Sequence, residues 1–113
     1  MNDETKTIDK ATLKLIEKAV KFDATNFITA PNDSSTWEGI SEAISNSLVQ
    51  FWKEGMLVGS SPEEAFSVSI GLGITMTGED LLEGIIRVSV RLAPKTPKEF
   101  IELEYEQFQK KSS

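Results

Sequence analysis

Two pairs of neighbouring acids, Glu63-Glu64 and Glu79-Asp80, are the residues best able to do chemistry in this sequence. Adjacent carboxylates can share a divalent cation or divide general-acid and general-base work. Each pair, however, sits just inside a helix-start signal, where capping and the positive end of the helix dipole already account for acids. No Asp-x-Asp-x-Asp-Gly calcium loop surrounds either pair. Gly71-Leu72-Gly73 with Gly78 is glycine-rich and follows a strand-like run. It lacks the Gly-x-Gly-x-x-Gly spacing, no Lys-Ser/Thr pair follows, and no long helix opens after it, so it reads as a loose strand-to-turn connection. Trp37 and Trp52 could line a ligand pocket, but at helical spacing such residues more often build core. The 113 residues include no histidine and no cysteine. That removes Ser-His-Asp and Cys-His mechanisms, thiolate metal sites and disulfides. A metal-dependent hydrolase would have to rest on Glu63, Glu64, Glu79 and Asp80 alone. The expectation is a chain with no catalytic residue, no cofactor and no metal ligand.

Composition points the same way. Eighteen acids stand against 12 bases, a formal charge of −6 that repels phosphate backbones. Hydrophobic residues make up 39% and charged ones 27%, the balance of a soluble globular chain. No apolar run approaches the roughly 18 residues of a membrane helix. Met1-Asn2-Asp3-Glu4 is polar and acidic, unlike a signal peptide, and a cytoplasmic origin fits. Neither nucleic acid nor a membrane is expected as a partner. The length suits a single domain, placed at residues 8–107 between flexible tails at 1–7 and 108–113.

Periodicity supplies the elements. Leu13, Ile16, Ala19 or Val20, and Asp23 or Ala24 share one face of a helix over residues 9–26, with Asp9 as N-cap. Lys10, Lys14, Lys18 and Lys21 lie mostly away from that face. Residues 27–29 read as a short extended piece before the turn chemistry of Pro31-Asn32-Asp33. Ser35 and Glu38 form a capping-box pattern, after which Trp37, Ile40, Ile44, Leu48 and Phe51 make one apolar stripe. Gly55 stands where a helix ends in a left-handed residue. Ser61, Pro62 and Glu64 repeat the capping signal for about one turn. Residues 66–70 then alternate as a strand, and residues 77–82 read as a turn or short helix closed by Gly84.

The strongest strand follows. Ile86, Val88, Val90 and Leu92 share one face, and Arg87, Ser89 and Arg91 the other. Pro94 and Pro97 interrupt the chain. A last strand over residues 100–107 puts Ile101, Leu103 and Tyr105 on one face and Glu102, Glu104 and Glu106 on the other. If these two strands pair, arginines face glutamates, each opposition contributing about 0.2–1 kcal/mol. Such a charge match is either a solvated outer face or a key that selects which strand pairs with which, in one chain or between two. The order predicts an α+β fold: two N-terminal helices on one face of a small, mainly antiparallel sheet of about three strands.

Several short strings together resemble the C-terminal domain of the phage tail sheath protein family, found in contractile tails, tailocins and contractile injection systems. Residues 27–32, Phe-Ile-Thr-Ala-Pro-Asn, are similar to the family's helix end near Phe-x-x-Pro-Asn. Trp52-Lys53-Glu54-Gly55-Met56-Leu57-Val58-Gly59 resembles Trp-Arg-Glu-Gly-Ala-Leu-x-Gly. Pro-Glu-Glu-Ala-Phe stands intact from Pro62 to Phe66. Thr77, Asp80, Leu81 and Gly84 match a Thr-x-x-Asp-Ile-x-x-Gly turn. The apolar strand, then Ala-Pro-x-x-Pro-x-Glu-Phe ending at Phe100, then a closing strand complete the pattern over residues 10–106. The first helix is lysine-rich where the family is often arginine-rich. Ser69-Ile70 replaces a Cys-Asp pair, and the closing strand is unusually acidic. The family's larger upstream domains have no counterpart here, so an excised domain and a stand-alone relative both stay open.

What the resemblance implies is mechanical and non-enzymatic. Sheath subunits surround an inner tube and contract to drive it through an envelope. Their C-terminal domains form the inner layer and are linked by strands added to neighbours' sheets, a case of β-augmentation. The implied partners are neighbouring sheath subunits and the inner tail tube, in a homo-oligomer assembled in the cytoplasm as part of a phage tail or tail-like particle. The implied inter-subunit strand pairing falls on Arg87 and Arg91 with Phe100, Ile101, Glu102, Leu103, Glu104, Tyr105 and Glu106. The alternative is a sheath-like adaptor or cap that does not itself polymerise.

Overall fold

The computed structural model describes residues 10–93 and 100–110. Helix α1 (Lys10–Thr25) is followed by α2 (Ser34–Lys53), a single turn α3 (Pro62–Ala65), strand β1 (Phe66–Ser69), α4 (Gly78–Glu83), and strands β2 (Ile85–Leu92) and β3 (Ile101–Phe108). Both strand pairs are antiparallel and the sheet order is β1-β2-β3. The α+β arrangement read from the sequence is the one observed. No helix among the described residues is long and apolar enough to cross a membrane.

The two long helices cover one face of the sheet. Ile16, Val20 and Ala24 from α1 meet Trp37, Ile40, Ile44 and Leu48 from α2 in one buried cluster with Ile86, Val88, Val90 and Leu92 of β2. Phe51 closes the α2 stripe half-buried. The inward face of β2 is wholly buried because it is the central strand and its alternating branched residues all point at the helices. Leu103 and Tyr105 of β3 pack against the same cluster.

The helix ends follow local chemistry. At the end of α2 the Met56 N–H donates to Phe51 O and the Gly55 N–H to Trp52 O, a Schellman arrangement that puts Gly55 at φ +83°. The N-cap of α2 is Asp33, whose side chain accepts from the Thr36 N–H, rather than Ser35. Residues 32–35 are all capping types; Asp33 holds the extended backbone, φ −143° and ψ 176°, from which its carboxylate reaches back to the Thr36 N–H. Residues 27–29 are not extended. The Phe27 N–H donates to Ala24 O, Ile28 to Thr25 O and Ala30 to Phe27 O, so the chain unwinds from α1 through tight turns. In α3, Ser61 makes no side-chain cap. Glu64 instead accepts from the N–H and hydroxyl of Ser60.

The glycine stretch after β1 is not loose. Gly71 O accepts from the N–H groups of Ile74, Thr75 and Met76, and the Thr75 hydroxyl donates to Arg87 O at 2.7 Å. Residues 108–110, expected in a free tail, are tied instead: the Gln109 N–H donates to Gly84 O and the Lys110 N–H to Ile28 O. The expected N-cap Asp9, the breaks at Pro94 and Pro97, and the tails at 1–7 and 111–113 lie outside the described residues.

Candidate interface on the outer face of β2 and β3

The antiparallel register of β2 and β3 sets Arg87 opposite Glu106, Ser89 opposite Glu104 and Arg91 opposite Glu102. Alternation puts all six side chains on the sheet face away from the helices. The nine residues singled out in the sequence therefore come together on two adjacent strands, with Phe100 just before β3. Ile101, Leu103 and Tyr105 face the helices, half-buried, and the three glutamates face solvent. Here β3 pairs with β2 of its own chain.

Arg87 is the centre of this face. Its Nη1 lies 3.0 Å from Glu106 Oε2. Its Nε and Nη2 each donate to Asp80 at 3.2 Å, through Oδ2 and Oδ1 respectively. Asp80 is also the capping-box residue of α4: its Oδ2 accepts from the Thr77 N–H, while the Asp80 N–H donates to Thr77 Oγ1. Hydrogen bonds from Arg87, then the Thr77 N–H, hold the Asp80 carboxyl below the usual carboxylate range, against the opposing effect of burial. The same contacts raise the Arg87 guanidinium above its already high value. One arginine thus joins α4, β2 and β3. The alternation in β2 and β3 signals the Glu106 contact. The Asp80 contact is not visible there, because it depends on how the 71–76 loop and α4 fold back over the strand.

Arg91 behaves differently. Its guanidinium carbon lies 4.3 Å from the centroid of the Phe100 ring, a cation–π contact worth about 0.5–1 kcal/mol at an exposed site. Among the described residues it forms no salt bridge with Glu102. A shallow groove of about 400 Å³ runs over this face, lined by Ile74, Thr75, Arg87, Ser89, Glu104 and Glu106.

The paired acids do not converge. Glu63 and Glu79 are exposed, Glu64 is turned to Ser60, and Asp80 is engaged by Arg87 and Thr77. Among the described residues no cluster of three or more possible ligands is positioned to hold a metal ion. Trp37 is buried with its Nε1–H donating to Asn32 Oδ1 at 2.7 Å, and Trp52 donates to Gly59 O at 2.9 Å. Both tryptophans are framework residues.

Polar anchors that alternation does not signal hold β3 in place. Gln107, only 2% exposed, donates from Nε2 to Ala24 O at the end of α1. Gln109 donates from Nε2 to Phe27 O and Ala30 O. Asn32, within the Pro-Asn string, donates from Nδ2 to Ile85 O at the start of β2. A glutamine on an inward strand position is the one signal that could have marked the first of these.

No protein-family profile and no curated protein matches the chain. Solved structures do. A chain of the anti-feeding prophage baseplate, 6-fold symmetrised, superimposes with a TM-score of 0.71 and 34% identity over 85% of this chain. A chain of an extracellular contractile injection system, the PVC sheath complex in its contracted state, gives 0.69 and 40% over 83%. The helical sheath of the anti-feeding prophage, also contracted, gives 0.66 and 34% over 83%. The chain spans only 27%, 27% and 26% of those chains' lengths respectively. At 34–40% identity over more than four fifths of its length, it carries a domain of the kind found in contractile sheath chains, in line with the resemblance to the tail sheath family.

Proposed function

We propose that this chain serves as a structural domain of a contractile sheath, non-enzymatic, which links neighbouring subunits by exchanging β3 and packs around an inner tube within a phage-tail-like particle. The observation that carries the reading is the charge-coded pairing of β2 with β3: a central strand presenting arginines and a terminal strand presenting three glutamates in register with it. The long edge of the sheet, on β3, has no partner strand within the described residues. Such an edge invites a strand from another chain. Like charges on successive copies of β3 discourage pairing of that strand with itself, so the ladder favours β2 as its partner. The similarity to chains from assembled sheaths supports a place among identical neighbours.

A second reading, an adaptor or cap at one end of a sheath, draws support from the similarity to a chain of a baseplate assembly. Two experiments separate them. Reversal of Arg87 and Arg91 to Glu in the full-length protein should leave its circular dichroism that of a folded α+β chain and abolish sheath assembly. Sheaths that assemble and contract normally with both reversals would contradict the linkage role. A wild-type chain that decorates only the ends of sheaths built by another subunit would favour the adaptor.

A further inference from the structure

The last turn of a helix leaves backbone carbonyls without intrahelical donors. At the end of α1 Ala24 O takes the Phe27 N–H and, in the turn that follows, Phe27 O takes the Ala30 N–H; their second lone pairs, and Ala30 O, are met by side chains at and just after the end of β3. Tyr105 donates from its hydroxyl to Gln107 Oε1 at 3.0 Å. Gln107 Nε2 donates to Ala24 O at 2.9 Å and to Gln109 Oε1 at 2.8 Å. Gln109 Nε2 then donates to Phe27 O at 2.6 Å and to Ala30 O at 2.8 Å. The Lys110 N–H reaches Ile28 O at 2.8 Å. The relay has one direction, because its final acceptors are carbonyls and only the amide NH₂ ends can serve them.

This places two kinds of recognition on one strand. The glutamates of β3 lie exposed on the outer face, where each opposition to β2 is worth little and salt screens it. The glutamines lie on the inner face, where a strand without donors would take from Ala30 O the donor that Gln109 supplies and leave Ala24 O and Phe27 O with only their turn N–H groups. Missing partners in a buried site discriminate more sharply than a weakened surface pair.

The geometry points to the end of α1 as a reader of the terminal strand: any strand seated beside β2 must bring side-chain amide donors at the positions of Gln107 and Gln109, so the partner that fits is β3 of a second copy of this chain. This rests on the strand-exchange reading above and names what makes the exchange homotypic.

The test uses the full chain carrying Gln107→Ala and Gln109→Ala, which weakens its own β3, and a synthetic peptide of residues 100–110 added in trans. The native peptide should bind saturably and raise the Tm of the variant chain. A peptide with both glutamines replaced by alanine should bind at least about tenfold more weakly, since each lost hydrogen bond removes a modest increment of binding. If the doubly substituted chain does not fold, Gln109→Ala alone supports the same comparison. Equal binding by the two peptides would overturn the reader and leave strand exchange standing. Binding by neither would overturn strand exchange, and the reader with it.

Discussion

Arg87 grips Asp80 with two parallel hydrogen bonds, Nε to Oδ2 and Nη2 to Oδ1, each 3.2 Å long, and spends its remaining nitrogen on Glu106. A residue expected only to face β3 therefore also fastens α4 and its capping box to the centre of the sheet. If β3 leaves for a neighbour, Arg87 keeps one acidic partner, so the arginine stays positioned for an incoming strand.

That relationship sets a pH dependence. The native state holds Asp80 below its ordinary value, so the contribution is present at neutral pH and disappears as the pH falls below about 3.8. Thermal unfolding of the wild type and of Asp80→Asn should show the wild type more stable at pH 7, with the gap closing as the pH falls below about 3.8 and through the lowered native value, where the carboxyl takes up its proton. A gap that stays constant as the solution is acidified until the carboxyl is protonated would mean that the carboxylate's charge is irrelevant. Arg87 stays charged throughout and adds no transition of its own.

The core prediction concerns Ile44, fully buried at the middle of the α2 stripe. Ile44→Ala removes buried methylenes and leaves a cavity between α2 and the sheet, which should cost about 2–5 kcal/mol in chemical denaturation. A loss under about 1 kcal/mol would mean the site collapses freely and that this layer is not the centre of the core.

Asn32 provides a sharper local test. It accepts from Trp37 Nε1 and donates to Ile85 O, tying the 26–33 turn to both α2 and β2. Asn32→Ala strands a buried indole N–H and a strand carbonyl and should cost about 1–3 kcal/mol. Asn32→Asp keeps the acceptor but loses the donor, so it should recover part of that loss. Equal stability of the two variants would show that the Ile85 contact, and not the Trp37 contact, carries the effect.

Periodic elements were legible in the sequence and local exceptions were not. The α2 stripe and the alternation of β2 are sustained patterns whose buried faces follow from geometry alone. Residues 27–29 contain two apolar residues and a threonine, types that favour strands, yet the carbonyls at the end of α1 capture the N–H groups of Phe27 and Ile28 before any strand can form. The true cap Asp33 is hidden among neighbours of equal capping power. The glycines at 71 and 73 suggest looseness, but Thr75 closes that loop onto Arg87 O. At the candidate interface, the charge pattern gave the Arg87–Glu106 opposition. Gln107 on an inward position hints at a polar anchor, but its partner Ala24, and the links to Asp80, Phe27 and Ala30, join residues whose proximity only the tertiary fold decides.

If β3 passes between copies, two complementary variants should rescue each other when mixed. One full-length chain carries Arg87→Glu and Arg91→Glu; the other carries Glu102→Arg and Glu106→Arg. Within each, β2 and β3 present like charges to each other in the observed register. Between them, both strand pairings regain opposite charges. Neither variant should self-associate, and the equimolar mixture should form a one-to-one complex by native mass spectrometry, with tighter protection of the β3 amides against hydrogen exchange than either chain shows alone. A mixture whose masses and exchange profile are those of the two separate chains would contradict strand exchange.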